Sequence, residues 1–220
     1  HDALPILPPP QMVMNMRIGN MVGFCVGEPW NARAINDRIG FTAATSQSIW
    51  ADHPEKILGT RRDWVAKNPH TARALVSAVM EAARWIEASA ENKRETAQIL
   101  SRRAWLNCKE QYLTGRMLGE YDNGVGQRWQ DAHPIRFFNE GAVSYPYLSD
   151  GMWFLTQFRR WGLLNAAPDY AGIAQRINQT AVWQEAATAV GGMSTPSSPY
   201  RRQHPDLVRQ HHGLDRKSVV

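Results

Sequence analysis

Residues 15–33, NMRIGNMVGFCVGEPWNAR, hold the side chains in this chain that are best suited to binding a ligand. The apolar run Met21–Val26 predicts a strand, and Asn31 is a residue type that commonly starts a helix. The free backbone N–H groups and the dipole at a helix start favour a small anion. Open α/β sheets bind ligands at the carboxyl ends of strands, where Glu28, Trp30 and Asn31 would lie.

The same pattern also has a purely structural interpretation, and spacing alone leaves both open. Trp30 would then pack in a core, and Glu28 would merely terminate the strand. If the segment is a site, Glu28 cannot attract an anion, because like charges repel. Its carboxylate would instead orient a basic partner.

No other residues form a recognisable catalytic or metal-binding pattern. Cys25 and Cys108 are far apart and belong to no CxxC pair, so they are expected to be inert thiols. The adjacent pair His211-His212 lacks a third ligand at useful spacing. Since nucleophile-elbow, P-loop and HExxH motifs are also missing from the sequence, we expect neither an enzyme nor a resident metal.

Composition narrows the class of protein. The 220 residues are 43% hydrophobic and include two cysteines, which excludes a disordered chain and a disulfide-stapled miniprotein. No run approaches the ~18 apolar residues of a membrane-spanning helix. The formal net charge of +5 is too small for this length to require a nucleic-acid partner.

The elements that must position the candidate site are a few short strands followed by many helices. Besides Met21–Val26, residues 41–45 predict a strand. One helix is expected to start at Pro69 after Asn68, burying a stripe formed by Ala72, Leu75, Val76, Val79, Ala83 and Ile86. The other helices are predicted over residues 12–18, 31–38, 92–103, 109–120, 150–161, 171–178 and 181–190. This order indicates an α/β or α+β fold whose sheet is largely encoded elsewhere.

The two ends of the chain are related at the nucleotide level. Residues 1–6, HDALPI, and residues 215–220, DRKSVV, can be encoded by strings that are reverse complements, as in a sequencing adapter. We therefore expect both hexapeptides to be adapter-derived rather than native. Residues 200–214 change to an Arg-, His- and Gln-rich composition, which predicts a disordered or frame-shifted tail.

Four blocks of the chain, in order, resemble the nitrate- and bicarbonate-binding proteins of ABC importers. They are PPPQMV, NMRIGNMVGFCVGEPWNAR, IWADHPEKILGTRRDWVAKNPHTARAL and SYPYLSDGMWFLTQFRRWGLL, and the likeness extends over about residues 7–190. The resemblance implies an α/β, two-lobed periplasmic-binding-protein-like fold (type II), with only the C-terminal half present. Residues 7–35 would form the end of the second lobe and the hinge crossover, and residues 36–199 the helical C-terminal part.

The resemblance also implies a site. Glu28, Trp30, Asn31 and Arg17 would line the cleft, with Arg33 as a further charge partner. Trp30 would form a flat wall, and Asn31 would donate hydrogen bonds. No cofactor is implied for nitrate, whereas Ca²⁺ would bind Glu28 if the ligand were bicarbonate.

The function implied is that of a solute-binding component, not an enzyme. It would capture nitrate or nitrite by lobe closure and deliver it to a permease and an ATPase. It would lie in the periplasm or cell envelope, associated with the membrane through its partner or a lipid anchor, with no direct nucleic-acid contact. The alternatives are a bicarbonate-binding transport protein and a cytoplasmic nitrate sensor that controls an RNA-binding antiterminator. An enzyme of the same fold would need a His- or Cys-rich site that these residues do not show.

Overall fold

The computed structural model describes residues 7–50 and 52–200, so the expectations for both hexapeptides and for residues 201–214 lie outside it. The chain divides into two compact units at the Glu55–Lys56, Arg84–Trp85 and Arg136–Phe137 junctions. The predicted lobe segments, residues 7–35 and 36–199, stay a prediction.

In chain order the elements are α1 (Pro9–Arg17), α2 (Trp30–Asn36), α3 (Ser46–Ile49), α4 (Arg62–Lys67), α5 (Pro69–Ala88), α6 (Ala90–Ser101), α7 (Gln111–Leu118), β1 (Glu120–Asp122), β2 (Arg128–Gln130), a 3₁₀ turn (Asn139–Gly141), α8 (Leu148–Arg160), α9 (Tyr170–Ile177) and α10 (Thr180–Val190).

The core of the second unit, which contains residues 56–84 and those from Phe137 onward, is built on two aromatic side chains. Tyr145 and Trp183 meet edge to face with ring centroids 5.0 Å apart. Met80 of α5 is fully buried against them, together with Ala186 and Ala187 of α10. A smaller cluster of Leu148, Met152 and Ala174 joins α8 to α9.

The start of α5 at Pro69 is confirmed, but the predicted buried stripe is only partly correct. Ala72 is buried, whereas Leu75 and Val79 are exposed, so their predicted burial is wrong. Val76 of the predicted stripe is partly buried, and the covered face runs through it and through Met80, which the prediction left out. The cause is that α10 and Tyr145 pack on that neighbouring face, which periodicity alone does not determine.

The first unit contains residues 7–55 and 85–136 among those described, and its core lies under α1 and α2. Val13, Trp30 and Ala34 are buried there, with Phe24 and Val26 packed against them. Residues 21–26 and 41–45 form no strand, so both strand predictions are wrong for the described residues. A strand requires a run of backbone hydrogen bonds to a neighbouring strand. Thr42 donates one such bond to the carbonyl oxygen of Asn123 at 2.9 Å, but no strand pairs with either segment in the described part of the chain.

The described residues instead form an unpredicted antiparallel hairpin of β1 and β2, with Tyr121 opposite Trp129. The two rings stack with centroids 4.5 Å apart. The preceding helix α7 ends at Gly119, which adopts a left-handed conformation with φ of 80°. Because this glycine ends the helix early, the predicted extension of α7 to residue 120 is too long.

Gly124, in the hairpin loop, lies close to the backbone of a neighbouring segment. Its φ is +81°, and an added Cβ would lie 3.1 Å from the carbonyl oxygen of Gly40. We expect Gly124→Ala to lower the free energy of unfolding by about 2 kcal/mol, through both backbone strain and the close approach. Gly126→Ala is the matched control, since its φ is +93° but nothing lies within 4 Å of the added Cβ. It should cost about 1 kcal/mol. Urea denaturation measures both, and equal losses would contradict the argument.

Candidate functional site

Glu28 is the acidic residue that precedes α2, and both of its carboxylate oxygens are bound. Oε2 accepts a hydrogen bond from the backbone N–H of Ala32 at 2.9 Å. Oε1 accepts one from Nε of Arg116, also at 2.9 Å. The predicted basic partner of Glu28 therefore exists, 88 residues further along the chain. The first turn of α2, a helix of seven residues, already faces a carboxylate from the chain itself.

Arg116, near the end of α7, is held on three sides. Its Nη1 and Nη2 donate to the carbonyl oxygens of Glu120 at 3.3 Å and Asp122 at 3.4 Å. Its Cζ lies 3.6 Å from the centroid of the Tyr121 ring, which is cation–π geometry. Only 12% of the side chain is exposed. Sequence reasoning missed Arg116, because nothing in the local pattern of α7 marks it as a partner of Glu28.

Asn31 and Trp30 are both engaged by the chain. The Asn31 side-chain amide donates to the carbonyl oxygen of Val26. It does not cap α2, whose N-cap residue is Pro29 with no side-chain cap. Trp30 is 8% exposed and lies in the core with Val13. The core location anticipated for Trp30 is therefore observed, while roles of Trp30 and Asn31 in ligand binding stay predictions.

Arg17 lies at the other end of α2 from Glu28. Its Nη2 is 3.0 Å from Oδ2 of Asp37, the residue that ends α2, and Arg33 Nε is 3.6 Å from the same oxygen. Tyr112 donates its hydroxyl to Oδ1 of Asp37 at 2.9 Å. Burial, followed by the bond to Asp37, raises the pKa of Tyr112 above its usual value. The structure thus groups Arg17 with Arg33 and Asp37, and does not bring it to Glu28.

A groove of about 480 Å³ lies between α2, α7 and the hairpin. The groove is lined by residues of these three elements, namely Ala32, Ile35, Asn36, Gln111, Tyr112, Gly115, Arg116, Glu120, Tyr121, Asp122, Arg128, Trp129 and Gln130. A hydrogen bond from the Gly124 N–H, followed by one from Arg128, lowers the pKa of Asp122. Arg116, which lines this groove, also contacts Glu28, which does not line it.

Metal-binding and membrane-spanning features are both missing from the described part of the chain. Within residues 7–50 and 52–200, no group of three His, Cys, Asp or Glu side chains could hold a metal ion. Over the same ranges, no helix combines the length and the apolar character needed to cross a membrane.

The fold is that of a periplasmic binding protein. The chain superposes on the crystal structure of the periplasmic nitrate-binding protein NrtA from Synechocystis with a TM-score of 0.84 and 42% sequence identity. The match covers 90% of this chain and 52% of that one, as expected for about half of a two-lobed protein. The predicted fold class is confirmed.

Sequence comparisons agree with the structural match. The profile of the NMT1-like family matches residues 3–101. The chain is 43% identical to the nitrate/nitrite binding protein NrtA of Synechocystis over 199 residues, which are 89% of this chain and 44% of that protein. It is 36% identical to the bicarbonate-binding protein CmpA of Synechococcus elongatus over 193 residues, covering 84% of this chain and 43% of that protein. The predicted resemblance to nitrate- and bicarbonate-binding proteins is therefore confirmed.

A third relative is an ATP-binding protein of nitrate import. The nitrate import ATP-binding protein NrtC of Synechocystis is 36% identical over 211 residues, covering 94% of this chain and 29% of that protein. The chain thus spans about half the length, or less, of the relatives that it matches.

Proposed function

We propose that this chain is part of the solute-binding component of a nitrate/nitrite ABC import system. The observation that carries the proposal is the match to NrtA, with 42% identity and a TM-score of 0.84 over 90% of the chain. The identity of 43% to a nitrate/nitrite binding protein against 36% to a bicarbonate-binding protein favours nitrate or nitrite as the ligand. Binding would occur without chemical conversion of the ligand, and so the protein would not be an enzyme.

The proposed mechanism is capture of the oxyanion by closure of two lobes. A ligand that binds the closed form more tightly than the open form shifts the equilibrium towards the closed form. A membrane permease with its ATPase would then bind the closed form. The likeness to a nitrate import ATP-binding protein supports such partners. The likeness to a periplasmic nitrate-binding protein supports a periplasmic location.

Ion pairs of Glu28 and Asp37 among the described residues support this proposal. The carboxylate of Glu28 is neutralised by Arg116, so that the start of α2 carries no unpaired negative charge. Arg17 and Arg33 share Asp37 in the same way. A site in which carboxylates are paired can accept an anion without a metal, and we propose that no cofactor takes part.

Ligand titration of the full-length gene product that carries this sequence tests the proposal. Nitrate or nitrite should change the tryptophan fluorescence, since the chain has nine tryptophans. At about 100 times the dissociation constant, either anion should also add about 2.7 kcal/mol to the free energy of unfolding. Chloride at equal ionic strength is the control and should have no effect.

The outcomes separate the nitrate or nitrite proposal from the bicarbonate alternative. A response to bicarbonate with Ca²⁺, and none to nitrate or nitrite, would assign the protein to the bicarbonate alternative. If nitrate, nitrite and bicarbonate with Ca²⁺ all leave both signals unchanged, the solute-binding proposal is wrong.

A further inference from the structure

We infer that Asn123 is a latent modification site: its side chain deamidates when the hairpin loop opens, and the folded hairpin suppresses that reaction. The site is independent of the proposed ligand, because it concerns the chemical lifetime of the chain. Asn123 precedes Gly124, and theirs is the one Asn–Gly pair among the 220 residues. Since glycine has no Cβ, its backbone nitrogen is the one that a preceding asparagine side chain reaches most easily.

The reaction needs no partner other than water. The backbone nitrogen of Gly124 loses its proton and attacks Cγ of Asn123, so that a Cγ–N bond forms. The Cγ–Nδ2 bond breaks, and the side-chain amide leaves as ammonia after taking up one proton in place of the one that Gly124 lost. Water then opens the resulting cyclic imide at either carbonyl carbon, which gives aspartate or isoaspartate at this position.

Three hydrogen bonds fix the carboxamide of Asn123 in the folded loop. Its Oδ1 accepts from the backbone N–H of Val125 at 2.9 Å and from that of Gln127 at 3.1 Å. Its Nδ2 donates to Oε1 of Gln127 at 2.9 Å. Asn123 is only 9% exposed, so water does not readily replace these partners. Cyclisation turns the planar carboxamide into a tetrahedral carbon bonded to the Gly124 nitrogen, a change that the three bonds oppose.

The attacking nitrogen is restrained as well. The Gly124 N–H donates to Oδ1 of Asp122 at 2.7 Å, a charge-assisted bond to a carboxylate. The nitrogen becomes a nucleophile only after it loses this proton, and the adjacent negative charge opposes that loss. Arg128 pairs with the other carboxylate oxygen of Asp122 at 2.7 Å and helps to keep the group ionised.

Backbone hydrogen bonds close the loop on two sides. The Asn123 N–H donates to the carbonyl oxygen of Gln127 at 3.1 Å, across the hairpin. The carbonyl oxygen of Asn123 accepts from the N–H of Thr42 at 2.9 Å, in a separate segment of the first unit. Opening the loop therefore breaks several hydrogen bonds together. Deamidation should follow the small population in which they are broken.

Peptide mapping of the full-length gene product that carries this sequence tests the inference. Cleavage after Arg116 and Arg128 releases residues 117–128, in which Asn123 is the one asparagine. In mildly alkaline buffer, the folded protein should convert Asn123 at least roughly tenfold more slowly than the protein in guanidinium chloride, because the reaction waits for opening. Mass spectrometry of this peptide, with detection of isoaspartate, follows the conversion.

Substitutions test the protecting contacts one at a time. Gln127→Ala removes the acceptor of Nδ2 and should raise the rate in the folded protein about fivefold, the factor that one hydrogen bond is worth. Asp122→Ala removes the carboxylate from the Gly124 N–H and should raise the rate roughly tenfold. Gln127→Glu keeps an acceptor and should stay within about twofold of wild type. Gln98→Ala, at an exposed position of α6 in the same unit, is the matched control and should change nothing.

The comparison of folded with denatured wild-type protein decides the test even if a variant folds poorly. Equal rates in the two states would overturn the inference, as would a lack of conversion in guanidinium chloride. Wild-type rates in folded Gln127→Ala and Asp122→Ala proteins would overturn it too, and so would a Gln127→Glu rate as high as that of Gln127→Ala. Nitrate binding enters none of these measurements, so failure of the proposed function is a separate result.

Discussion

Replacing Trp183 with alanine should lower the free energy of unfolding by about 3–5 kcal/mol, the usual cost of deleting a large aromatic side chain from a core. Trp183 is 3% exposed and packs edge to face on Tyr145. Its Nε1–H donates to the hydroxyl of Ser144 at 3.0 Å, so the deletion also removes this hydrogen bond. Met80, fully buried against this pair, would border the cavity. Urea denaturation followed by circular dichroism measures the loss.

Two variants divide this effect into parts. Trp183→Phe keeps most of the packing and removes the indole N–H, so it should cost about 1–2 kcal/mol. Trp161→Ala removes a tryptophan that is 72% exposed and should change stability by less than about 0.5 kcal/mol. Equal losses for Trp183→Ala and Trp161→Ala would show that the Tyr145 cluster does not hold the second unit together.

Trp30→Ala should produce a comparable loss, about 3–5 kcal/mol, in the first unit. Trp30 is 8% exposed and shares a core with Val13, which is fully buried, and with Ala34. Phe24 and Val26 lie against the same cluster, so the cavity would undermine the segment that leads to Glu28. The same denaturation experiment applies, with the exposed Trp105 as the control position, since it is 65% exposed.

The conservative variant Trp30→Phe separates the core role of Trp30 from its predicted role as a wall of the ligand site. It should retain most of the stability, losing about 1–2 kcal/mol, because an aromatic ring still fills the core. If Trp30 also contacts ligand, nitrate affinity should fall in this stable variant. Unchanged affinity would assign Trp30 to the core alone. A loss below about 1 kcal/mol in Trp30→Ala would contradict its place in the core.

Helices are the elements that sequence reasoning predicts best here, because their signals are local. Pro69 marks the start of α5, and the predicted end of α7 at residue 120 lies two residues beyond its observed end at Leu118. The start of α8 differs slightly from the prediction, since Ser149 and Asp150, both residue types that cap helices, lie inside its first turn. Such errors of one or two residues are expected where several polar residues compete for the cap position.

Strands are predicted poorly because they depend on partners. The run Met21–Val26 has strand-like composition, yet it forms no strand among the described residues. The hairpin at residues 120–130 has only three residues in each strand, too few to show alternation in the sequence. Strand formation is a non-local event, and local composition records it weakly.

Of the ion pair between Glu28 and Arg116, only Glu28 is predictable from the sequence. Glu28 stands out by its position between an apolar run and a helix start, and the need for a basic partner follows from its charge. The identity of that partner depends on how α7 packs on α2, and Arg116 lies 88 residues away. Neither spacing nor periodicity connects the two positions. The buried location of Trp30 is one of two interpretations that composition leaves open.

The first unit is discontinuous in sequence, and this affects the order in which a newly synthesised chain can complete it. Glu28 and Asp37 belong to its first segment, but their partners Arg116 and Tyr112 belong to its second. Residues 56–84, which lie between, belong to the other unit. A ribosome synthesises the chain from its N-terminus, so the carboxylates at both ends of α2 remain without these partners until α7 has emerged. This unit is therefore completed only after the intervening residues 56–84 of the other unit have been synthesised.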